Sequence, residues 1–373
     1  MMTKPRILFV LHLPPPMHGA ALVGSFIRES GLVNSTFDTR YVNLSASSTL
    51  EEVGRFSLKK FRPVFRLIRE VRRTVSEWKP DRVYLTPSAT MPGLLKDALV
   101  ARAARRKGAR VILHFHNKGV AERQDRFVYD RLYRILFRDA RVILLSERLY
   151  PDVRKYVPEE RVSYCANGVS VPDIDFSTPP AAPLEMTEKT SLEMTILFLS
   201  NMIRSKGVSV LIEACRLLKE RGIGFRCSLV GALSADYPGD SLVDEIRRQG
   251  VEDRVTYEGP AYGEGKWNAF AKADVFVHPT LNDSFPLVVL EAMGTGLPVV
   301  TTAEGGIPDM VRDGVDGLIC PKGDPSALAD ALQKLLSDAS MRTRLGESGK
   351  ARYRMSYTQE QFEKRFVEIL KDA

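Results

Sequence analysis

Residues 275–302 run VFVHPTLNDSFPLVVLEAMGTGLPVVTT, which parses as strand, loop, short helix and second strand. Val275–His278 and residues 298–302 are short β-branched runs. Between them Ser284 suits a helix cap and Pro286 the first helical turn, while Gly294 and Gly296 mark the exit, so the spacing predicts a helix over 286–293. A strand, a crossover helix and another buried strand form the unit from which parallel sheets are built.

The same rhythm extends outward. Strand-like runs occur at 195–200, 225–230, 254–258 and 317–320, and again in the first half at 6–11, 82–86, 110–115, 141–146 and 161–166, with helical patterns in most gaps. The fold class expected is α/β with two Rossmann-like domains, 1–175 and 193–355. Residues 172–190 carry Pro172, Pro179, Pro180 and Pro183 without apolar periodicity, which places an interdomain linker at 176–192. From Pro325 onward the pattern is helical, with a turn expected near Gly346 to Gly349. A last amphipathic helix begins near Thr358, the segment 356–373 being expected to return to the N-terminal domain.

At 373 residues, 44% apolar and 27% charged, the chain is too hydrophobic for disorder and too long for one core. No apolar run reaches the roughly 18 residues that cross a bilayer, and Met1 to Arg6 leads into a strand run, so a cytoplasmic chain is expected. Cys165, Cys215, Cys227 and Cys320 form no CxxC pair and are expected reduced and buried. Charge is uneven: residues 1–180 hold 31 Lys and Arg against 18 Asp and Glu, whereas 181–373 hold 23 against 28. Nucleic acid, an anionic membrane or a phosphorylated substrate would each suit the basic half.

A helix that starts after a strand presents free amides and the positive end of its dipole, a phosphate site. Glu291 lies about 6–8 Å along the 286–293 helix, at about 1.5 Å per residue, where a carboxylate meets the hydroxyls of a nucleoside ribose. Asp283, just outside the helix, would reach a group beyond the phosphate. A capped core helix with a solvated Glu explains the same residues. Arg204, Lys206 and Gly207 fill the loop after strand 195–200, where two cations would neutralise a diphosphate; an exposed Lys-Gly turn is the plainer reading.

The first loop, Leu13 to Ala21, is LPPPMHGAA, in which Gly19 permits close backbone approach to a ligand and His18 adds a polar group. It is not GxGxxG. His114 and His116 point to the same side of strand 110–115. A metal would need a third ligand that the sequence does not place, so no metal is expected. Phe61, Val64, Phe65, Ile68, Val71 and Val75 form a helical stripe flanked by Lys59, Lys60, Arg62, Arg66, Arg69, Arg72 and Arg73. This helix either packs its stripe on the sheet with solvated cations or rests those cations on anionic lipid. Nucleic acid is not expected, since no exposed aromatics interleave with the arginines.

Residues 277–296, with Pro298, Val299, Val300, the Glu304-Gly305-Gly306 turn and the run Asp313 to Gly317, resemble retaining glycosyltransferases of family 4. Lys206-Gly207, Asn167-Gly168-Val169 and Gly19 extend the resemblance over most of the chain. It implies the GT-B fold, two Rossmann-like domains with parallel sheets facing a central cleft. The family's paired acids, Glu and a second Glu eight positions on, fall on Asp283 and Glu291. Carried over, Glu291 binds the ribose, Asp283 meets donor-sugar hydroxyls, and the amides near Phe285 to Leu287 hold the distal phosphate, with Ser284 and Pro286 among the nucleotide-sugar contacts.

Lys206 matches the lysine on the diphosphate, and the usual arginine is replaced by Asn201, with Arg204 offering a charge from another point on the loop. Base contacts fall near Glu258 to Tyr262, including Gly259 and Pro260. Gly19 stands where the family often has paired glycines, the second here being Ala20, and His116 aligns with the histidine near the donor sugar. The resemblance implies metal-independent transfer with retention from a UDP- or GDP-linked sugar and no further cofactor. The acceptor expected is a lipid-linked or surface-polysaccharide intermediate, with a peripheral position on the inner face of the membrane. A non-catalytic sugar-nucleotide scaffold and a sugar-nucleotide epimerase of the same fold stay open as alternatives.

Overall fold

The computed structural model describes residues 4–14, 19–44, 61–172 and 194–373. The linker at 176–192, His18, Lys59 and Lys60 lie outside the described residues, as do the side chains of Phe61 and Arg62. The chain divides into two compact units, 1–167 with 359–373, and 168–358. The first unit thus ends at Asn167, earlier than residue 175, because Val169 donates its N–H to Tyr357 O at 3.0 Å and bridges Thr358 within the second unit.

In the first unit β1 (Arg6–Leu11), β2 (Asp38–Asn43), β3 (Arg82–Leu85), β4 (Arg110–Phe115), β5 (Arg141–Leu144) and β6 (Val162–Tyr164) form one sheet, in the order β2-β1-β3-β4-β5-β6. Every pairing is parallel. β2 was not expected from the sequence. It is an edge strand, DTRYVN, with only Val42 fully buried, so it lacks the apolar run that marks the central strands. The helices are α1 (Gly19–Glu29), α2 (Gly31–Thr36), α3 (Phe61–Trp78), α4 (Gly93–Arg105) and α5 (Phe127–Phe137). On α3 the buried side chains are Leu67, Val71, Val75 and Trp78, whereas Phe65, assigned to the stripe, is exposed.

In the second unit β7 (Met194–Leu199), β8 (Phe225–Val230), β9 (Val255–Gly259), β10 (Val275–His278), β11 (Val299–Thr302) and β12 (Gly317–Cys320) pair in parallel in the order β12-β11-β10-β7-β8-β9. Its helices are α6 (Val208–Glu220), α7 (Gly239–Arg248), α8 (Glu264–Ala271), α9 (Leu287–Thr295), α10 (Ile307–Met310), α11 (Pro325–Ser337) and α12 (Ala339–Ser356). Val208, Leu211, Ile212, Cys215 and Leu218 of α6 bury one stripe against Leu328, Leu332 and Leu335 of α11 and the strands beneath. Each such side chain is worth about 1.5–3 kcal/mol on burial. Counted within this unit, the strand order is 3-2-1-4-5-6, and the chain reverses direction across the sheet between β7 and β10. Ligands of open α/β sheets bind outside the carboxyl ends of the strands at that point.

The turn expected near Gly346 to Gly349 is absent: α12 runs through both. A Cβ on Gly346 would stand 2.2 Å from Gly296 O, and one on Gly349 3.2 Å from Asp316 O. The glycines let the helix lie close to its neighbours instead of ending it. The last helix, α13 (Gln359–Asp372), belongs to the first unit. There Phe366 lies 5.4 Å from Tyr84 and 6.4 Å from Phe9 by ring centroids, and Ser30 Oγ donates to Glu363 Oε2 at 2.7 Å.

Candidate functional site

The loops that follow β7 and β10 are tied together. Ser205 O accepts the N–H groups of Leu281 at 2.8 Å and Asn282 at 3.2 Å, and the hydroxyl of Thr280 at 3.2 Å. Gly207, at φ +83°, makes that approach possible, since a Cβ there would fall 1.9 Å from Pro279 O. The result sets Lys206 Nζ 2.6 Å from Asp283 Oδ2. His278, buried at the end of β10, directs Nε2 at the same oxygen from 3.2 Å, while Asp283 Oδ1 accepts the N–H of Ser284 at 2.9 Å.

Burial by itself would raise the Asp283 carboxyl. The hydrogen bond from His278 and the charge of Lys206 outweigh it and hold the group well below the usual carboxylate range. Burial pushes the His278 imidazole down, only partly countered by Asp283, so a neutral ring donates from Nε2. The site is therefore a fixed carboxylate beside one cation. His278 was missed in the sequence; its one signal is a polar residue closing an otherwise apolar strand.

Helix α9 starts at Leu287 with Pro286 as its N-cap and no side-chain cap. Ser284 is thus not the cap, being buried two residues earlier with its carbonyl bonded to Gly306 N at 2.8 Å. Pro286 has no N–H, so the first-turn donors are Leu287 and Val288. Glu291, one turn on, is 4% exposed and accepts Lys266 Nζ at 2.8 Å. Burial raises its pKa against the opposing charge of Lys266. Lys266 comes from α8, 25 residues away, with its ammonium 4.3 Å from the Trp267 ring centroid, and nothing local in the sequence pointed to it. Gly305, at φ +53°, closes the other side, where a Cβ would meet Asp283 O at 2.3 Å; the buried Glu304 before it pairs with Lys322.

Arg204 is exposed, its Nε donating to Asp236 O at 3.1 Å and its guanidinium 4.5 Å from the Tyr237 ring centroid, so it pairs with residues 236–237 and not with Asp283. Asn201 is exposed beyond β7. Gly259, at φ +81°, ends β9 and accepts Gly231 N at 2.9 Å, with Pro260 exposed after it.

In the first unit Gly19 is the exposed first residue of α1. His116 follows β4 with its ring 4.2 Å from that of His114, whose Nδ1 is 2.7 Å from the Tyr84 hydroxyl. Burial holds His114 well below the ordinary imidazole value. Among the described residues no third His, Cys, Asp or Glu joins them. The loop after His116 is held by Asp152, which accepts the N–H groups of Gly119, Val120 and Ala121 at 3.0, 3.2 and 2.9 Å.

Residues 186–352 match the family model described as glycosyl transferases group 1, and residues 39–168 that of a glycosyl transferase 4-like domain. The amylovoran biosynthesis glycosyltransferase AmsK of Erwinia amylovora is 28% identical over 229 residues, 59% of this chain and 54% of the relative. The chain spans about half the length of the curated relatives it matches. Among solved structures, sucrose-phosphate synthase from Thermosynechococcus elongatus superposes with a TM-score of 0.78 at 19% identity, covering 99% of this chain and 98% of that one. HepE of Anabaena, solved in complex with UDP-glucose, gives 0.70 at 18% identity, covering 99% and 100%. Two parallel six-stranded sheets with helices on their faces, two matching family models and this shared architecture make the chain a member of the group 1 glycosyl transferases, with the GT-B fold.

Proposed function

We propose that the protein transfers a sugar, with retention of anomeric configuration, from a nucleotide-diphosphate donor to a lipid-linked or surface-polysaccharide acceptor. The observation that carries this reading is the Lys206–Asp283–His278 cluster at the switch point, beside the first turn of α9 and with Glu291 one turn further on. A pyrophosphate would lie on Lys206 and the amides of Leu287 and Val288, Asp283 would take sugar hydroxyls, and Glu291 would take the ribose.

In the transfer, the bond from the sugar C1 to the β-phosphate oxygen breaks as the acceptor oxygen bonds C1 on the same face. The acceptor proton passes to the departing phosphate oxygen. Negative charge grows on that phosphate, so Lys206 and the helix amides stabilise the transition state more than the ground state, a task that calls for no metal or further cofactor. His116 is the first unit's proposed contact to the donor sugar, Gly19 its proposed point of close backbone approach, and Gly259 and Pro260 are the proposed neighbours of the base. The name of AmsK supports a polysaccharide setting, and the UDP-glucose complex of HepE supports UDP as the carrier. The acceptor falls to the basic first unit, at the inner face of the membrane.

Thermal-shift and calorimetric titration with UDP-, GDP-, ADP- and TDP-sugars tests the reading. One nucleotide class is expected to stabilise the wild type and to lose that effect in Glu291→Ala. Stabilisation by none of them, or binding without transfer or hydrolysis, would reject it.

A further inference from the structure

The chain crosses from β2 through α3 to β3, through α4 to β4 and through α5 to β5, always in the same direction along the sheet. Right-handed crossovers therefore place α3, α4 and α5 on one face, with α4 packed between the other two. Six large apolar side chains stand exposed on this layer, and among the described residues of the first unit only Leu32 is exposed elsewhere. Leu95 and Leu99 are four apart on one stripe of α4, and Met91 is exposed just before the helix begins. Phe65 on α3 is 67% exposed, and Phe127 at the start of α5 is 77% exposed with Val128 beside it.

Cations frame the ribbon. Arg66, Arg69, Arg72 and Arg73 are exposed on α3, and Arg102 and Arg106 follow Leu99 along α4. Residues 61–140 hold 19 Lys and Arg against 8 Asp and Glu, so this layer and its strands carry +11 of the +13 in residues 1–180. A clustered apolar surface is unusual on a soluble face, and one framed by a single sign of charge matches a surface that is itself apolar below and anionic above.

We propose that the outer face of α3, α4 and α5 docks on an anionic lipid bilayer. Phe65 and the Met91–Leu95–Leu99 ribbon enter the boundary between headgroups and acyl chains, and the arginines take the lipid phosphates. The two most exposed of these side chains, Phe65 and Phe127, stand on different helices with an aliphatic ribbon on α4 between them, so the face lacks the successive aromatic platforms on which bases stack, which favours lipid over nucleic acid. The inference rests on the proposed function only for the benefit of docking, which would bring the first unit to a lipid-linked acceptor.

The test is co-sedimentation of the full chain with vesicles of phosphatidylcholine alone or with about 30 mol% phosphatidylglycerol, an anionic charge density that attracts basic surfaces. The wild type is expected to bind the anionic vesicles and not the neutral ones. Arg66→Gln/Arg69→Gln/Arg72→Gln should weaken partition by roughly a hundredfold, given about 1 kcal/mol per basic residue. Leu95→Gln/Leu99→Gln should lose the binding that survives at about 0.5 M salt, where screening is strong. Wild-type partition by either variant, or no binding by the wild type, overturns the proposal. So does a wild-type dimer that Leu95→Gln/Leu99→Gln splits in light scattering, which assigns the face to a second copy. Both variants should keep the thermal stabilisation given by UDP. If UDP fails to stabilise even the wild type, the donor reading falls while the vesicle data still judge the face.

Discussion

Lys206 Nζ sits 2.6 Å from Asp283 Oδ2 across 77 residues of sequence, each side chain delivered by the loop that leaves one of the two strands flanking the switch point. The cation is thus held in place before any anion arrives. Replacing Lys206 with Ala should remove a charge-assisted contact to a pyrophosphate worth about 1.5–3 kcal/mol, roughly ten- to hundredfold in UDP affinity by calorimetry. Arg204→Ala should cost under about threefold, because a guanidinium already shared with Asp236 O and the Tyr237 ring has less to give. Equal losses in the two variants would mean that Arg204 swings to the diphosphate when the donor binds.

Glu291 should behave as a group kept for binding at some cost to the fold. Burial raises its pKa above the ordinary 4.5, so the native state takes up a proton more readily than the unfolded chain. Ionised Glu291 therefore costs stability above its folded pKa, and that cost fades as pH falls through it. Glu291→Gln should be at least as stable as the wild type at pH 7 in urea unfolding, with the gap closing toward pH 4. Its UDP affinity should drop about tenfold or more, since an amide cannot accept both ribose hydroxyls. A variant less stable at pH 7 would show that the ion pair with Lys266 outweighs the burial of the carboxylate.

Two buried histidines set an acid limit. Burial lowers the pKa of His114, which faces Tyr84 and His116, and of His278, which faces Asp283 and Lys206. Below the ordinary value of 6.5 the unfolded chain takes up protons that the native state refuses. Stability is therefore full above about pH 6.5 and lost as pH falls below it, at up to about 1.4 kcal/mol per pH unit for each histidine until its folded pKa is reached. Unfolding free energies measured from pH 7.5 to 5 should show this slope, and His114→Gln should reduce it by about one proton whatever its effect at pH 7.5. An unchanged slope would mean that His114 protonates without unfolding.

The central strands and the position of Glu291 one turn into α9 were legible because buried parallel strands are apolar throughout and a helix after a strand has a fixed geometry. β2 was not, since this edge strand is polar at four of its six positions, Asp38, Thr39, Arg40 and Asn43. Gly346 and Gly349 were misread as a turn because a helical glycine that grants close packing looks, in one dimension, like one that ends the helix. His278 and Lys266 were invisible for a different reason. Each matters through a carboxylate brought to it by folding, at 3.2 Å for His278 and 2.8 Å for Lys266, and no local pattern encodes such a pairing. Arg204 shows the converse, a cation at the expected loop whose partners lie on residues 236–237.

Two glycines with similar backbones separate conformational strain from steric exclusion. Gly207 and Gly259 have φ of +83° and +81°, so alanine at either adopts a left-handed backbone at about 1–2 kcal/mol. A Cβ on Gly259 meets nothing within 4 Å, whereas one on Gly207 would lie 1.9 Å from Pro279 O. Gly259→Ala should therefore lose only the conformational term. Gly207→Ala must also push the β10 loop off Ser205, which should raise the cost to about 3 kcal/mol or more and separate Lys206 from Asp283. Urea unfolding gives the first quantity and UDP titration the second. Gly259→Ala should bind within about threefold of the wild type if the backbone carbonyl that receives Gly231 stays in place, while Gly207→Ala should bind about as poorly as Lys206→Ala. Wild-type affinity in Gly207→Ala would show that the lysine finds the pyrophosphate without the interlocked loops, and pre-positioning by Asp283 would then have no part in donor binding.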